Sequence, residues 1–107
     1  MNRNNPILYI VIPCYNEEKV LPYTNPMFIE KIESLINTGQ VHPNSKVMYV
    51  NDGSKDKTWS LIQQYAKENS HVVGIAQSRN RGHQSSVLAG MEEAAKFADI
   101  VITIDAD

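Results

Sequence analysis

The sequence predicts a layered α/β domain built on a parallel sheet. Four short apolar stretches, rich in β-branched residues, alternate with three longer stretches in which apolar residues recur at helical spacing. Each apolar stretch ends in a polar loop, and such a series is typical of right-handed strand–helix–strand units. A length of 107 residues with 42% hydrophobic content suits one core, so residues 1–107 are expected to form a single unit.

Two strands and one helix are predicted in the first half of the chain. Residues 7–12 are continuously apolar, and Pro13 closes the run because a proline cannot donate a hydrogen bond to a neighbouring strand. A helix is expected from Pro26, which suits a first helical position, to Gly39, which suits a stop. Its inward residues are predicted to be Phe28, Ile29, Ile32, Leu35 and Ile36. Residues 47–50 form the second predicted strand.

The second half is predicted to contain two helices and two strands. Ser54 is expected to cap a helix that continues to about Asn69. Residues 71–76 read as a third strand, and residues 99–104 read as a fourth. A helix is predicted between these two strands, and its inward-facing residues are expected to be Val87, Leu88, Met91, Ala94 and Ala95.

Polar residues that follow the four strands are expected to gather at one rim of the sheet, where open α/β sheets bind ligands. They are Tyr15, Asn16, Glu17, Asp52, Gly53, Asn80, Gly82, Asp105 and Asp107. In an extended backbone Asp105 and Asp107 would point the same way, about 7 Å apart, which suits one divalent cation or a phosphate bound through it. Hard cations such as Mg²⁺ or Mn²⁺ prefer oxygen ligands of this kind. Taken alone, such a pair is more often a solvated strand end.

Composition excludes several classes of function. The net charge of −2, without a basic stripe, argues against nucleic-acid binding. A single cysteine, Cys14, excludes an internal disulfide framework, and a packing role is favoured over a nucleophilic one. The first strand is not followed by a Gly-rich turn, and no P-loop motif occurs, which disfavours NAD and P-loop chemistry. The run at residues 7–12 is too short for a membrane span or a signal peptide, so a cytoplasmic location is expected.

Four segments carry a resemblance to a known family. Residues 11–18 (VIPCYNEE), 50–58 (VNDGSKDKT), 78–84 (SRNRGHQ) and 105–107 (DAD) resemble, in order and spacing, the N-terminal half of family 2 glycosyltransferases of the A-type fold. Within that family the chain is most similar to polyprenyl-phosphate glycosyltransferases, the relatives of dolichol-phosphate mannose synthase. The resemblance implies a Rossmann-like three-layer sandwich with a mainly parallel sheet, the nucleotide-diphospho-sugar transferase fold, interrupted here after the fourth strand.

The same resemblance implies a donor site. It assigns nucleotide binding to Pro13, Tyr15, Glu17, Val50, Asp52, Asn80, Gly82, Asp105 and Ala106. Val50 and Asp52 would contact the base, with Asp52 accepting a hydrogen bond from a ring N–H. Asp105 and Asp107 would hold Mg²⁺ or Mn²⁺. Asn51 stands where many relatives carry a second acid, so the polar base contact is expected from Asp52 alone.

The function that the resemblance implies is metal-dependent glycosyl transfer in cell-envelope synthesis. The donor would be a nucleotide sugar, with a UDP-sugar expected, and the acceptor a lipid phosphate or glycan, with polyprenyl phosphate expected. Relatives continue past the D-x-D motif, so the catalytic base, any membrane-associated helices at the cytoplasmic face and the rest of the sheet are expected beyond Asp107. The isolated chain is then expected to be inactive in transfer and to self-associate through its open sheet edge. The alternative is a non-catalytic nucleotide-binding or structural module that uses the same cleft.

Overall fold

The computed structural model describes residues 5–106, which form one four-stranded sheet with helices on both faces. Its elements are β1 Leu8–Cys14, α1 Leu21–Asn37, β2 Lys46–Asp52, α2 Thr58–Glu68, β3 Val72–Gln77, α3 His83–Ala94 and β4 Ile100–Thr103. The strands lie in the order β3-β2-β1-β4, and all three pairings are parallel. This architecture confirms the predicted α/β class.

Strand β1 is buried on both faces, which explains why its sequence is apolar without alternation. Leu8, Ile10 and Ile12 face the core that α1 and α2 cover. Tyr9 and Val11 face the opposite side, where they form a second core with the end of α3. The strand extends past the predicted end at residue 12, because Pro13 and Cys14 still align with β2.

Helix α3 lies against the sheet through small residues, and the inward face predicted for it was wrong except at Ala94. Its buried residues are Ser86, Gly90 and Ala94, spaced four apart. Leu88 and Met91, predicted inward, are 57% and 42% exposed; Val87 is half-buried and Ala95 is exposed. A Cβ on Gly90 would overlap the side chains of Val11 and Val50. The glycine therefore sets how closely the helix approaches the sheet, a property that apolar periodicity does not report.

Helix α1 begins earlier than predicted. Its first residue is Leu21, so Pro22 occupies the first turn, and Pro26 lies inside the helix rather than at its start. Tertiary contacts override the proline signal, because Leu21 is fully buried and the Tyr49 hydroxyl donates a 2.6 Å hydrogen bond to Asn25. The predicted stop near Gly39 agrees with the structure, where this glycine has a φ of +75° just after the helix.

The predicted start of the second helix was also wrong. Helix α2 begins at Thr58, and Ser54 does not cap it. Strand β2 continues through Asn51 to Asp52, so both residues belong to the sheet rather than to the following loop. Trp59 packs against the core, as predicted.

Strand β4 lies at the edge of the sheet, as the sequence predicts. Ile100, Ile102 and Ile104 are 45%, 41% and 37% exposed. Ile100 and Ile102 align with Leu8 and Ile10 of β1, so they lie on the same face of the sheet. Helices α1 and α2 cover this face farther along the sheet. Self-association through this edge stays a prediction. Within residues 5–106, no helix combines the length and the apolar character needed to cross a membrane.

Candidate functional site

A cleft of about 230 Å³ lies at the carboxyl ends of the strands. It is lined by Pro13, Cys14, Tyr15, Glu17, Asp52, Asn80, Gly82, His83, Ser86, Asp105 and Ala106. Residues at or just beyond the carboxyl ends of all four strands thus meet in one place, as predicted from the strand pattern. Of the nine residues assigned to nucleotide binding from the sequence, eight line this cleft and Val50 does not.

Val50 is a core residue in this structure. Its side chain is fully buried and packs beneath Gly90 of α3. Asp52 is two residues farther along β2 and therefore points to the same side of the sheet, but it lies at the end of the strand and borders the cleft. The Val50 side chain supports α3 and does not line the cleft, and contact between Val50 and the base stays a prediction. Asp107, the second predicted metal ligand, lies outside the described residues.

The loop after β1 is anchored to the loop after β2 by two hydrogen bonds of Asn16, one donated by its backbone and one accepted by its side chain. Asn16 adopts a left-handed conformation with a φ of +53°, and its N–H donates to the Ser54 hydroxyl at 2.9 Å. Its side-chain oxygen accepts a 2.8 Å hydrogen bond from the Lys55 N–H. Asn16 and Ser54 therefore act on each other as turn residues, and they present Tyr15, which is 42% exposed, to the cleft.

A second pair of contacts anchors the same loop to the start of α2. The Glu17 N–H donates to the hydroxyl of buried Thr58 at 2.7 Å, and the Glu18 N–H donates to Asp56 at 3.2 Å. Asp56 also accepts hydrogen bonds from the hydroxyl and the N–H of Thr58. Slight burial of Asp56 opposes ionisation, but the hydrogen bonds from Thr58 and Glu18 outweigh it and hold the pKa of this carboxyl below its ordinary value.

Asp52 holds the loop between β3 and α3. The carboxylate is 4% exposed, and its two oxygens accept hydrogen bonds from the N–H groups of Arg81, at 2.8 Å, and Gly82, at 3.1 Å. Gly82, with a φ of +94°, also donates to the Asn80 side chain at 2.9 Å. Next to Asp52, a Cβ on Gly53 would overlap the backbone of this loop. The close approach of the two loops therefore requires a glycine at position 53. This approach closes one side of the cleft.

The mouth of the cleft brings an imidazole close to a carboxylate. His83 is the first residue of α3, and its Nε2 lies 3.8 Å from Oδ1 of Asp105, which follows β4. Both side chains are well exposed, at 64% and 74%. His83 and Ser86 were not among the site residues predicted from the sequence. His83 was predictable from the strand pattern, because a helix that follows a parallel strand begins at the same rim.

Comparison with known proteins identifies the family. The model of Glycosyl transferase family 2 matches residues 9–107. The chain belongs to glycosyltransferase family 2. This confirms the family predicted from the four motifs.

Curated relatives of this family 2 chain include a glycosyltransferase and an undecaprenyl-phosphate transferase. It is 42% identical over its whole length to the uncharacterized glycosyltransferase YkoT of Bacillus subtilis (strain 168), of which it covers 32%. It is 36% identical over 99% of its length to the undecaprenyl-phosphate 4-deoxy-4-formamido-L-arabinose transferase of Shewanella sediminis (strain HAW-EB3), of which it covers 30%. The chain thus spans about a third of the length of these relatives.

Solved structures confirm the A-type glycosyltransferase fold. The mannosyltransferase PcManGT from Pyrobaculum calidifontis, in complex with GDP-Man and Mn²⁺, superposes with a TM-score of 0.68 at 21% identity, over 98% of this chain and 28% of the other. S. aureus TarS 1-349, in complex with UDP, superposes with a TM-score of 0.69 at 20% identity, over 94% of this chain and 27% of the other. At such low identity the likeness shows the fold alone.

Cys14 has a structural role in this family 2 chain. Its side chain is 2% exposed, and the thiol contacts the Ile12 carbonyl at 3.5 Å. Burial first, and the charge of Glu17 second, raise the pKa of the thiol to about 12. At neutral pH the group stays protonated and cannot act as a nucleophile, which agrees with the packing role predicted from the sequence.

A divalent cation in the cleft stays a prediction. Residues 5–106 contain no group of three His, Cys, Asp or Glu side chains that could enclose a metal ion. Mg²⁺ is commonly held by one or two carboxylates together with substrate phosphates, so an enclosing group is not required. The exposed carboxylate of Asp105 could contribute one oxygen ligand of this kind.

Proposed function

We propose that this cleft binds a nucleoside-diphosphate sugar, with a UDP-sugar as the first candidate. We further propose that the whole protein transfers the sugar to a polyprenyl phosphate. One observation supports the donor site most strongly: residues from position 13 to position 106, assigned to nucleotide binding from the sequence, line a single cleft. The name of the Shewanella sediminis relative, an undecaprenyl-phosphate transferase, supports the acceptor class.

The chemistry of the cleft suits a nucleoside at its inner end. Asp52 is buried and already accepts two backbone hydrogen bonds, and a carboxylate has further lone pairs that could accept from a base N–H. Tyr15 offers an exposed ring, and Glu17 an acceptor for a ribose hydroxyl. Ala106, which is 2% exposed, gives a small apolar wall.

The diphosphate is assigned to the mouth of the cleft. Asp105 and Asp107 would hold a divalent cation, Mg²⁺ or Mn²⁺, against the phosphate oxygens. When bound, this cation would neutralise charge that develops on the departing nucleoside diphosphate. No residue of the cleft is assigned to acceptor activation.

Calorimetry of the 107-residue chain with UDP and with GDP, each with and without Mn²⁺, tests the donor site. We expect weak binding that depends on Mn²⁺, is reduced in Asp105→Asn and is abolished in Asp107→Ala. Glu92→Gln is the matched control, since it removes one exposed carboxylate near the other end of α3. If neither diphosphate binds at millimolar concentration, donor binding by the 107-residue chain is refuted.

Sugar transfer is tested separately, with the full-length protein and polyprenyl phosphate. Turnover of a nucleotide sugar would support the proposed enzyme. Tight donor binding without transfer would favour the alternative of a non-catalytic nucleotide-binding module.

A further inference from the structure

His83 lines the cleft beside the carboxylate to which metal binding is assigned. The two groups come from different elements, since His83 begins α3 and Asp105 follows β4. Their Nε2 and Oδ1 atoms are 3.8 Å apart, and both line the cleft. This spacing is longer than a hydrogen bond and leaves the imidazole edge accessible to a ligand.

The backbone at His83 is held in place by contacts both before and after the residue. Immediately before it, the N–H groups of Arg81 and Gly82 are bound by the buried carboxylate of Asp52. After it, α3 lies against the sheet at Gly90, where there is no room for a Cβ. The imidazole is therefore attached to a fixed backbone, although its side chain is exposed. Such preorganisation favours a ligand contact, because little backbone entropy is lost on binding.

We propose that His83 donates a hydrogen bond from Nε2 to the diphosphate of the bound nucleotide, beside the cation assigned to Asp105. This inference rests on the proposed donor site and adds to it a residue that contacts the ligand. The chemistry is complementary: Asp105 reaches phosphate oxygens only through a cation, whereas an imidazole N–H donates to them directly.

Titrations followed by ¹⁵N NMR, with UDP and with uridine in the presence of diamagnetic Mg²⁺, test this assignment. The comparison isolates the phosphates, since uridine presents the same base and ribose without them. We expect His83→Ala to weaken UDP binding by about tenfold, the loss of one charge-assisted hydrogen bond, and to leave uridine binding within a factor of about two. His83→Gln keeps an N–H donor and should recover part of the affinity. Gln84→Ala, at the exposed next position of α3, is the matched control.

The remaining outcomes separate the inference from the proposed function. Wild-type binding of UDP with unchanged affinity in His83→Ala would overturn the inference and leave the donor site intact. Equal weakening of UDP and uridine would also overturn it, because His83 would then support the structure of the cleft rather than contact phosphate. Absence of UDP binding by the wild-type chain would overturn both.

Discussion

Replacing Asp52 by alanine should release the loop between β3 and α3. The carboxylate accepts hydrogen bonds from the N–H groups of Arg81 and Gly82, and hydrogen bonds to a charged acceptor contribute about 1.5–3 kcal/mol each. In the variant Gly82 keeps its bond to Asn80, and water can reach the partly exposed loop, so the two contributions are not both lost in full. We expect Asp52→Ala to lower the free energy of unfolding by about 2 kcal/mol. Asp52→Asn, which keeps one acceptor, should cost about half as much.

Urea unfolding followed by circular dichroism measures the first effect, and hydrogen exchange locates it. The amides of Arg81 and Gly82 should exchange faster in Asp52→Ala, while the amides of β1 should change only with global stability. Nucleotide affinity should fall as well, because the same loop carries Asn80 into the cleft. The control is Asp105→Asn: its side chain is 74% exposed, so stability should change by less than about 0.5 kcal/mol. If the Arg81 and Gly82 amides of Asp52→Ala exchange at the rates of the unaltered chain, and the urea midpoint is unchanged, this role of Asp52 is refuted.

Four further predictions concern the rest of the chain. Gly90→Ala should lower the free energy of unfolding, measured in urea, by about 1–3 kcal/mol, because the added methyl overlaps buried side chains. Val11→Ala should cost less in the Gly90→Ala chain than in the unaltered chain, because it removes part of that overlap. If the effects of the two substitutions simply add, the overlap is contradicted. Asp56→Asn should destabilise by about 1 kcal/mol at pH 7. Because the folded-state pKa of Asp56 is lowered, this difference should shrink as the pH falls below the ordinary value of 3.8, and a difference independent of pH would contradict the assignment. Cys14, with a pKa of about 12, should react with iodoacetamide at pH 8 only under denaturing conditions, as mass spectrometry would show. Ile102→Lys on the exposed edge strand should lower self-association measured by light scattering, whereas a salt-insensitive monomer of the unaltered chain would count against self-association itself.

Most of the fold was predictable because its signals are local. Alternation of apolar runs with helical periodicity placed four strands and three helices in the correct order. Errors occurred where a distant contact overrides a local signal. Pro26 suggested a helix start, yet burial of Leu21 and the hydrogen bond from Tyr49 to Asn25 extend the helix by more than a turn. Ser54 looked like a helix cap, yet its hydroxyl binds the loop that follows another strand.

Most of the candidate site was also predictable, because its residues follow from the positions of the strands. Parallel strands end on one side of a sheet, so Tyr15, Asp52, Asn80 and Asp105 could be grouped from the strand pattern and the family motifs. Val50 shows the limit of that argument. A residue can match a motif and still lie beneath a helix, and its burial depends on how closely that helix packs.

The sequence by itself determined the order of the elements, the rim at which the polar residues meet and the family to which the chain belongs. These follow from periodicity, from the handedness of strand connections and from short motifs, all of which can be read along the chain. Only the tertiary structure decided that Asp52 binds the backbone of a loop 29 residues away and that His83 meets Asp105. Such contacts arise from the close approach of distant segments, which Gly53 and Gly90 permit because they lack a Cβ.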